Sequence, residues 1–303
     1  MLRRRGFLAA AGVAALAVAG CGSEGGAGRA RVASGEVGGF YHAFAEKLAA
    51  SAAQAGTVRI EVVTTAGSQD NLTMLARGEV DAALTLADSV ARSGEPLVAL
   101  GRVYENYLQM AVRNDSRIHT VGDLRGARVN LGAEGSGAAL TGNRILSAAG
   151  LRPDEEVTVA HRPLRDSVAE VIAGTADALL WAGGVPTALF EVPNRMRLID
   201  LGELATPMRE LFGPVYDRVE IPAAAYPGAT GVHTIGVTNL LLAARDMPNR
   251  TAAAIVDLLV NRAESLVPTE AAGAQFLDGR SLINTGAVPL HPGAVEVYRA
   301  WHG

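Results

Sequence analysis

The sequence predicts an α/β protein with mixed but largely parallel sheets, organised as two lobes. Three observations carry this prediction. Short β patterns and amphipathic helical patterns alternate along most of the chain, joined by brief Gly loops, the grammar of strand–helix–strand units. The stretch Gly78-Glu79-Val80-Asp81-Ala82-Ala83-Leu84 returns as Gly174-Thr175-Ala176-Asp177-Ala178-Leu179-Leu180, each coming off a helix. The chain has 303 residues, 49% of them hydrophobic, enough for about two domains with a core each and too apolar for disorder. The repeated stretch has two readings at this level: a common way of stopping a helix and starting a strand, or one unit in each of two lobes.

The N-terminus reads as an address. Arg3, Arg4 and Arg5 precede an apolar stretch, residues 7–20. About 14 residues are too few for a membrane span of about 20, but they fit a secretory signal. Arg4-Arg5-Gly6-Phe7-Leu8 resembles the twin-arginine export motif, and Val18-Ala19-Gly20-Cys21 resembles a lipobox. Residues 1–20 are therefore expected to be a lipoprotein signal peptide, Cys21 the lipidated residue, and 21–29 a flexible Gly/Ser tether. The expected location is the outer face of the cytoplasmic membrane, reached by the twin-arginine or the general secretory route.

The elements follow in order. Residues 31–34 form a short strand running into Gly35-Glu36-Val37-Gly38-Gly39, and 40–53 are helical. Val58, Ile60 and Val62 alternate as in a strand. Ser68 is placed to cap a helix carrying Leu72 and Leu75, which Gly78 ends in the left-handed conformation. Residues 81–86 are a strand. The pattern resumes with a strand at 128–131, a Gly135-Ser136-Gly137 loop, a helix at 140–149, a strand at 157–160, a helix at 168–173 and a strand at 178–181. Ile255, Leu258, Leu259 and Leu266 mark one long amphipathic helix over 249–265. Residues 107–112 and 235–244 are candidate crossovers. They make residues 30–113 plus 239–303 a discontinuous lobe one and 114–238 lobe two.

Composition excludes several functions. The net charge is −4, and setting aside the N-terminal arginines leaves about 24 basic groups against 31 acidic ones, so no nucleic-acid footprint exists. One cysteine permits neither a disulfide framework nor a cysteine-rich zinc site, and no His-x-x-x-His pair suggests a metal. Gly35-x-x-Gly38-Gly39 has neither the dinucleotide fingerprint nor the phosphate-loop pattern, so no cofactor is expected. Ser136 lacks the nucleophile-elbow context because Glu134 stands where a Gly is needed, and the histidines lie outside supporting motifs, so no enzyme is expected.

Three Gly loops at strand-to-helix junctions, 34–39, 67–68 and 135–137, can present backbone N–H groups and helix N-termini to a small anion. The candidate ligand-binding set is Ser34, Gly38, Gly39, Tyr41, Gly67, Ser68, Asp88, Gly135, Ser136, Gly137, Gly184 and Tyr226. Several of these have a second reading. Tyr41 either meets the ligand or packs in the core; Tyr226 lines the cleft or anchors a turn; Asp88 accepts a substrate amine or caps a helix. Trp181 belongs to the cleft floor or the core, and Glu134 beside Gly135 would repel an anion unless it points away.

Gly38-Gly39-Phe40-Tyr41, Thr65-Ala66-Gly67-Ser68-Gln69-Asp70-Asn71-Leu72 and Gly78-Glu79-Val80-Asp81 resemble the TAXI-type solute-binding subunits of tripartite ATP-independent periplasmic (TRAP) transporters. Asp123-Leu124-Arg125-Gly126, Val129-Asn130-Leu131-Gly132, Gly183-Gly184-Val185-Pro186 and Val288-Pro289-Leu290-His291-Pro292-Gly293-Ala294 agree in order, from about residue 31 to 301. The chain departs from the pattern at His42, Ala43, Ala133, Glu134 and Ala138. The resemblance implies a two-lobed periplasmic-binding-protein fold, type II-like, with a hinge and a central cleft that closes on a small organic acid or amino acid, a carboxylate such as glutamate or a dicarboxylate. It also implies delivery to a TRAP-type membrane permease by a monomeric binding protein. The alternatives are a ligand-sensing input module for a receptor kinase and an extracytoplasmic hydrolase.

Overall fold

The structure is a computed structural model that describes residues 28–90, 96–190, 195–226, 231–268 and 279–302. The segment 1–20, Cys21 and the tether up to residue 27 lie outside the described residues. Gly28 and Arg29, expected in the tether, are already strand.

Ten strands form one sheet: β1 (Gly28–Ala33), β2 (Val58–Val63), β3 (Ala82–Leu86), β4 (Val98–Arg113), β5 (Arg128–Asn130), β6 (Thr158–Ala160), β7 (Ala178–Gly183), β8 (Met196–Ile199), β9 (Tyr216–Ile221) and β10 (Val232–Ala243). Their order is β2-β1-β3-β10-β4-β7-β5-β6, with β8 beside β4 and β9 beside β10. The two ends mirror one another. β1 runs parallel to β2 and β3, and β5 runs parallel to β6 and β7. Each parallel trio meets one long antiparallel strand, β10 against β3 and β4 against β7, and these two strands pair with each other at the centre. Parallel strands must be covered on both faces, so they read as continuous apolar runs. β3, Ala-Ala-Leu-Thr-Leu, is buried at every position.

The repeated Gly-x-x-Asp-Ala stretch has a physical cause. The Asp81 carboxylate accepts from the Arg31 backbone N–H at 2.7 Å while the Asp81 N–H donates to the Arg31 carbonyl at 2.9 Å. Asp177 does the same with Arg128, at 2.8 Å both ways. In both units this two-way bond fixes where the third strand docks on the first: Val32 opposite Ala82, and Val129 opposite Ala178. The preceding glycines, Gly78 (φ +67°) and Gly174 (φ +76°), take the left-handed conformation that ends the helix.

The helices are α1 (Phe40–Ala55), α2 (Ser68–Ala76), α3 (Ala87–Val90), α4 (Gly137–Ala148), α5 (Leu164–Ala173), α6 (Ala205–Phe212), α7 (Asn249–Asn261), α8 (Ala263–Leu266), α9 (Gly279–Leu282) and α10 (Pro292–His302). α1 buries Phe40, Tyr41, Phe44, Ala45, Leu48 and Ala52, one stripe at helical spacing. The single helix expected over 249–265 is two, because Arg262 leaves helical geometry at φ −127°, ψ 23°. α4 and α5 begin three and four residues before their expected starts.

Core membership changes partway along the two long strands. Val103, Tyr104 and Leu241 pack with α1, α7 and α10, whereas Leu108, Val237 and Ile235 pack with α4 and α6. Two further clusters cover the opposite faces of the two sheet halves. The fold is α/β and two-lobed, and β4 and β10 are shared by both halves. No helix among the described residues is long and apolar enough to cross a membrane.

Candidate functional site

A cavity of about 730 Å³ opens between the two halves, within the range of about 300–1,000 Å³ usual for small-molecule clefts. The loop 36–39 and Phe40 form one wall; Trp181, Gly184, Pro186 and Leu189 face it from the other half. An inner chamber of about 40 Å³ adjoins it, lined by Tyr41, Gly67, Ser68, Asn106, Ser136 and Gly137 among others. Glu36, Gly39, Phe40, Ala66 and Trp181 line both.

The local sequence explains these walls. Gly38 has φ +84°, and the Gly39 N–H closes the turn on the Glu36 carbonyl at 2.9 Å. Gly39 is also the N-cap of α1; no side chain caps that helix, and no acidic residue lies in its first turn. Its first N–H groups therefore carry an uncompensated partial positive charge. Gly137 is required by close approach, since a Cβ there would lie 2.6 Å from both Leu86 Cδ1 and Ser68 Oγ.

Of the candidate residues, Gly38, Gly39 and Gly184 line the main cavity, and Gly39, Tyr41, Gly67, Ser68, Ser136 and Gly137 line the inner chamber. The hydroxyls among them are already engaged. The Tyr41 hydroxyl donates to Asn239 Oδ1 at 2.5 Å and lies 3.2 Å from Ser68 Oγ. Burial holds its phenol well above the ordinary range. Ser68, expected to cap a helix, does not do so, because Gly67 takes that place; its Oγ accepts instead from the Leu86 N–H at 3.0 Å. Ser136 is the N-cap of α4, its Oγ accepting from the Ala139 N–H at 3.1 Å.

Four candidates do not line either chamber. Ser34 is fully buried, and its Oγ donates to the Val63 carbonyl at 2.8 Å. Gly135 instead turns its carbonyl across the cleft to the N-terminus of α2, accepting from Gln69 (2.9 Å) and Asp70 (3.2 Å). Asp88 is fully buried between the halves, accepting from Thr141 Oγ1 at 2.7 Å and the Tyr216 hydroxyl at 3.1 Å, with Arg144 at 3.4 Å. Burial raises the Asp88 pKa, and those hydrogen bonds and the guanidinium oppose the rise without cancelling it. It ties the halves together, and neither a free amine acceptor nor a simple cap describes it. Tyr226 lies beneath the cavity floor: its hydroxyl donates to Gln109 Oε1 and accepts from the Thr187 N–H at 2.7 Å. Gln109 Nε2 in turn donates to the Gly184 carbonyl at 3.1 Å. Tyr226 thus holds the floor that carries Gly184.

Sequence reasoning missed Glu36 and Asn106. Glu36 stood in a loop read only for its glycines. Asn106 is a polar residue inside an apolar strand, a signal visible in the sequence. Glu134 is exposed and absent from both walls, so it points away from the site. No group of three or more metal-ligating side chains occurs among the described residues.

Residues 32–300 match the NMT1-like family. The chain belongs to the NMT1-like family. Its fold is similar to that of a protein from Bordetella bronchiseptica RB50, at 13% identity and TM-score 0.61, covering 91% of this chain and 98% of that one. It is also similar to the substrate-binding protein of an amino acid ABC transporter, at 14% identity and TM-score 0.51, covering 79% and 96%. A mutant of ArgBP from T. maritima matches at 14% identity and TM-score 0.50, covering 78% and 90%. The fold of this NMT1-like chain is that of the two-lobed periplasmic binding proteins.

Proposed function

We propose that this chain is an extracytoplasmic solute-binding lipoprotein, anchored through Cys21, that captures a small organic acid or amino acid and delivers it to a TRAP-type permease as a monomer. The observation that carries the reading is the cavity of about 730 Å³ between two halves joined through β4 and β10. A cleft between hinged lobes is suited to closing on a ligand and presenting the closed form to a partner. Family membership and the fold of the neighbours support it, and the TAXI resemblance supplies the permease class. In this reading lobe one is 30–113 plus 239–303 and lobe two is 114–238. The ligand-facing groups are Gly38, Gly39, Tyr41, Gly67, Ser68, Ser136, Gly137 and Gly184, with Gly135 joining the lobes.

The test is a thermal-shift and calorimetric screen of the mature chain against amino acids, monocarboxylates and dicarboxylates. A true ligand at a hundredfold its Kd stabilises the native state by about 2.7 kcal/mol. If no member of the panel shifts the transition, the solute-binding reading is wrong.

A further inference from the structure

Within that solute-binding reading, we infer that the ligand is an amino acid with an apolar side chain, its ammonium held by Glu36 and Asn106 and its side chain by the apolar wall of the main cavity. The argument begins with orphaned acceptors. Glu36 Oε2 accepts from the Leu164 N–H across the cleft at 3.3 Å, but Oε1 is shielded from solvent and has no partner among the described residues. Asn106 is 2% exposed. Its Nδ2 donates to the Ala182 carbonyl at 3.3 Å, which orients the amide and leaves Oδ1 without a partner. Glu36 lines both chambers and Asn106 the inner one. Both orphans are acceptors, so a matching occupant is a donor.

Charge points the same way. The charged residues lining the main cavity are Glu36, Arg165 and Asp166. Burial raises the Glu36 pKa and the nearby Asp166 carboxylate raises it further, so a cation beside them relieves both effects. The uncapped N-terminus of α1, on the same wall, receives the single carboxylate. The second carboxylate of glutamate or of a dicarboxylate would face Glu36 and Asp166 with Arg165 as the one compensating charge. The remaining wall is apolar: Val37, which is 76% exposed at the rim, with Phe40, Trp181, Pro186 and Leu189. Such a surface rewards burial of a hydrocarbon side chain, at about 25 cal/mol per Å².

Isothermal titration of the mature chain with L-leucine, L-phenylalanine, L-glutamate, succinate and 3-phenylpropionate tests this. Leucine or phenylalanine should bind at least about tenfold more tightly than glutamate. 3-Phenylpropionate, which is phenylalanine without the ammonium, should bind at least about tenfold more weakly than phenylalanine. Glu36→Gln should weaken phenylalanine far more than 3-phenylpropionate, narrowing that gap. Tighter binding of glutamate or succinate, or equal affinity for phenylalanine and its deamino analogue, overturns the inference and leaves the solute-binding reading standing. Absence of binding across these five compounds overturns the inference, and the wider screen above decides the solute-binding reading. The comparisons among ligands use the unaltered chain, so they stand even if the variant misfolds.

Discussion

Glu105 in β4 is 6% exposed, and its Oε1 has no partner among the described residues. Burial pushes its pKa up to about 7; the Asp217 carboxylate adds to the rise and Arg102 opposes it. The unfolded chain has an ordinary carboxyl near 4.5. Between these values the folded protein holds a proton that the unfolded one has released, so stability is greatest below about pH 4.5 and falls as pH rises through 7. The shift corresponds to about 3 kcal/mol. Glu105→Gln, uncharged and of the same shape, should match wild type near pH 4.5 and exceed it by up to about 3 kcal/mol at pH 8 in urea titrations. A variant less stable than wild type at pH 8 would show that the ionised carboxylate makes a favourable contact. Glu105 stands beside Asn106 in the same apolar strand, and its carboxylate lies against Gly236 of β10, a neighbour distant in sequence.

At the scale of elements, the two-way Asp–Arg bonds let a sequence repeat be tested as a structural device. Asp81 and Asp177 have half-exposed side chains, so solvent screens their ion pairs and the backbone bonds carry the effect. Asp81→Ala and Asp177→Ala should each cost about 1 kcal/mol. Together they should be close to additive, because they share no partner. Unchanged unfolding midpoints in both single variants would reduce the repeat to coincidence. Elements with strong periodicity were legible. The stripe of α1 and the alternation of β2 are local properties of the chain, and the Gly78 and Gly174 stops follow from local backbone sterics. The early starts of α4 and α5 were not legible. Gly137-Ala138-Ala139 has little apolar periodicity, and the Ser136 cap sets the start there. At α5, Pro163 precedes the first turn and Leu164 bonds across the cleft to Glu36.

The whole molecule is held closed by contacts that cross the cleft: the Gly135 carbonyl on α2, Glu36 on Leu164, and Asp88 among Thr141, Arg144 and Tyr216. Gly135 has φ +79°, and a Cβ there would run into Asp70. Gly135→Val is therefore strained in the closed form. It should lower affinity for the identified ligand by at least about tenfold, while far-UV circular dichroism of the ligand-free chain stays unchanged. In solution scattering, the variant should remain wider than wild type at a ligand concentration that closes wild type. Wild-type affinity in the variant would mean that this junction plays no part in closure.

The sequence by itself determined the α/β class, the alternation of elements, the repeated unit and the Gly loops. All of these follow from hydrophobic period and backbone sterics acting over a few residues. Most of the residues it singled out do line one of the two chambers, since loops at strand ends are where a two-lobed sheet protein opens a cleft. Only the tertiary structure decided what those groups do. The hydroxyls of Tyr41, Ser68 and Ser136 are taken by Asn239, Leu86 and Ala139, and Asp88 is spent on joining the halves. Among the described residues that line the two chambers, the buried acceptors left open are those of Glu36 and Asn106. A hydrogen bond is a property of a pair, and in this fold many partners come from strands distant in sequence, so which polar groups remain free is settled only when the chain has closed on itself.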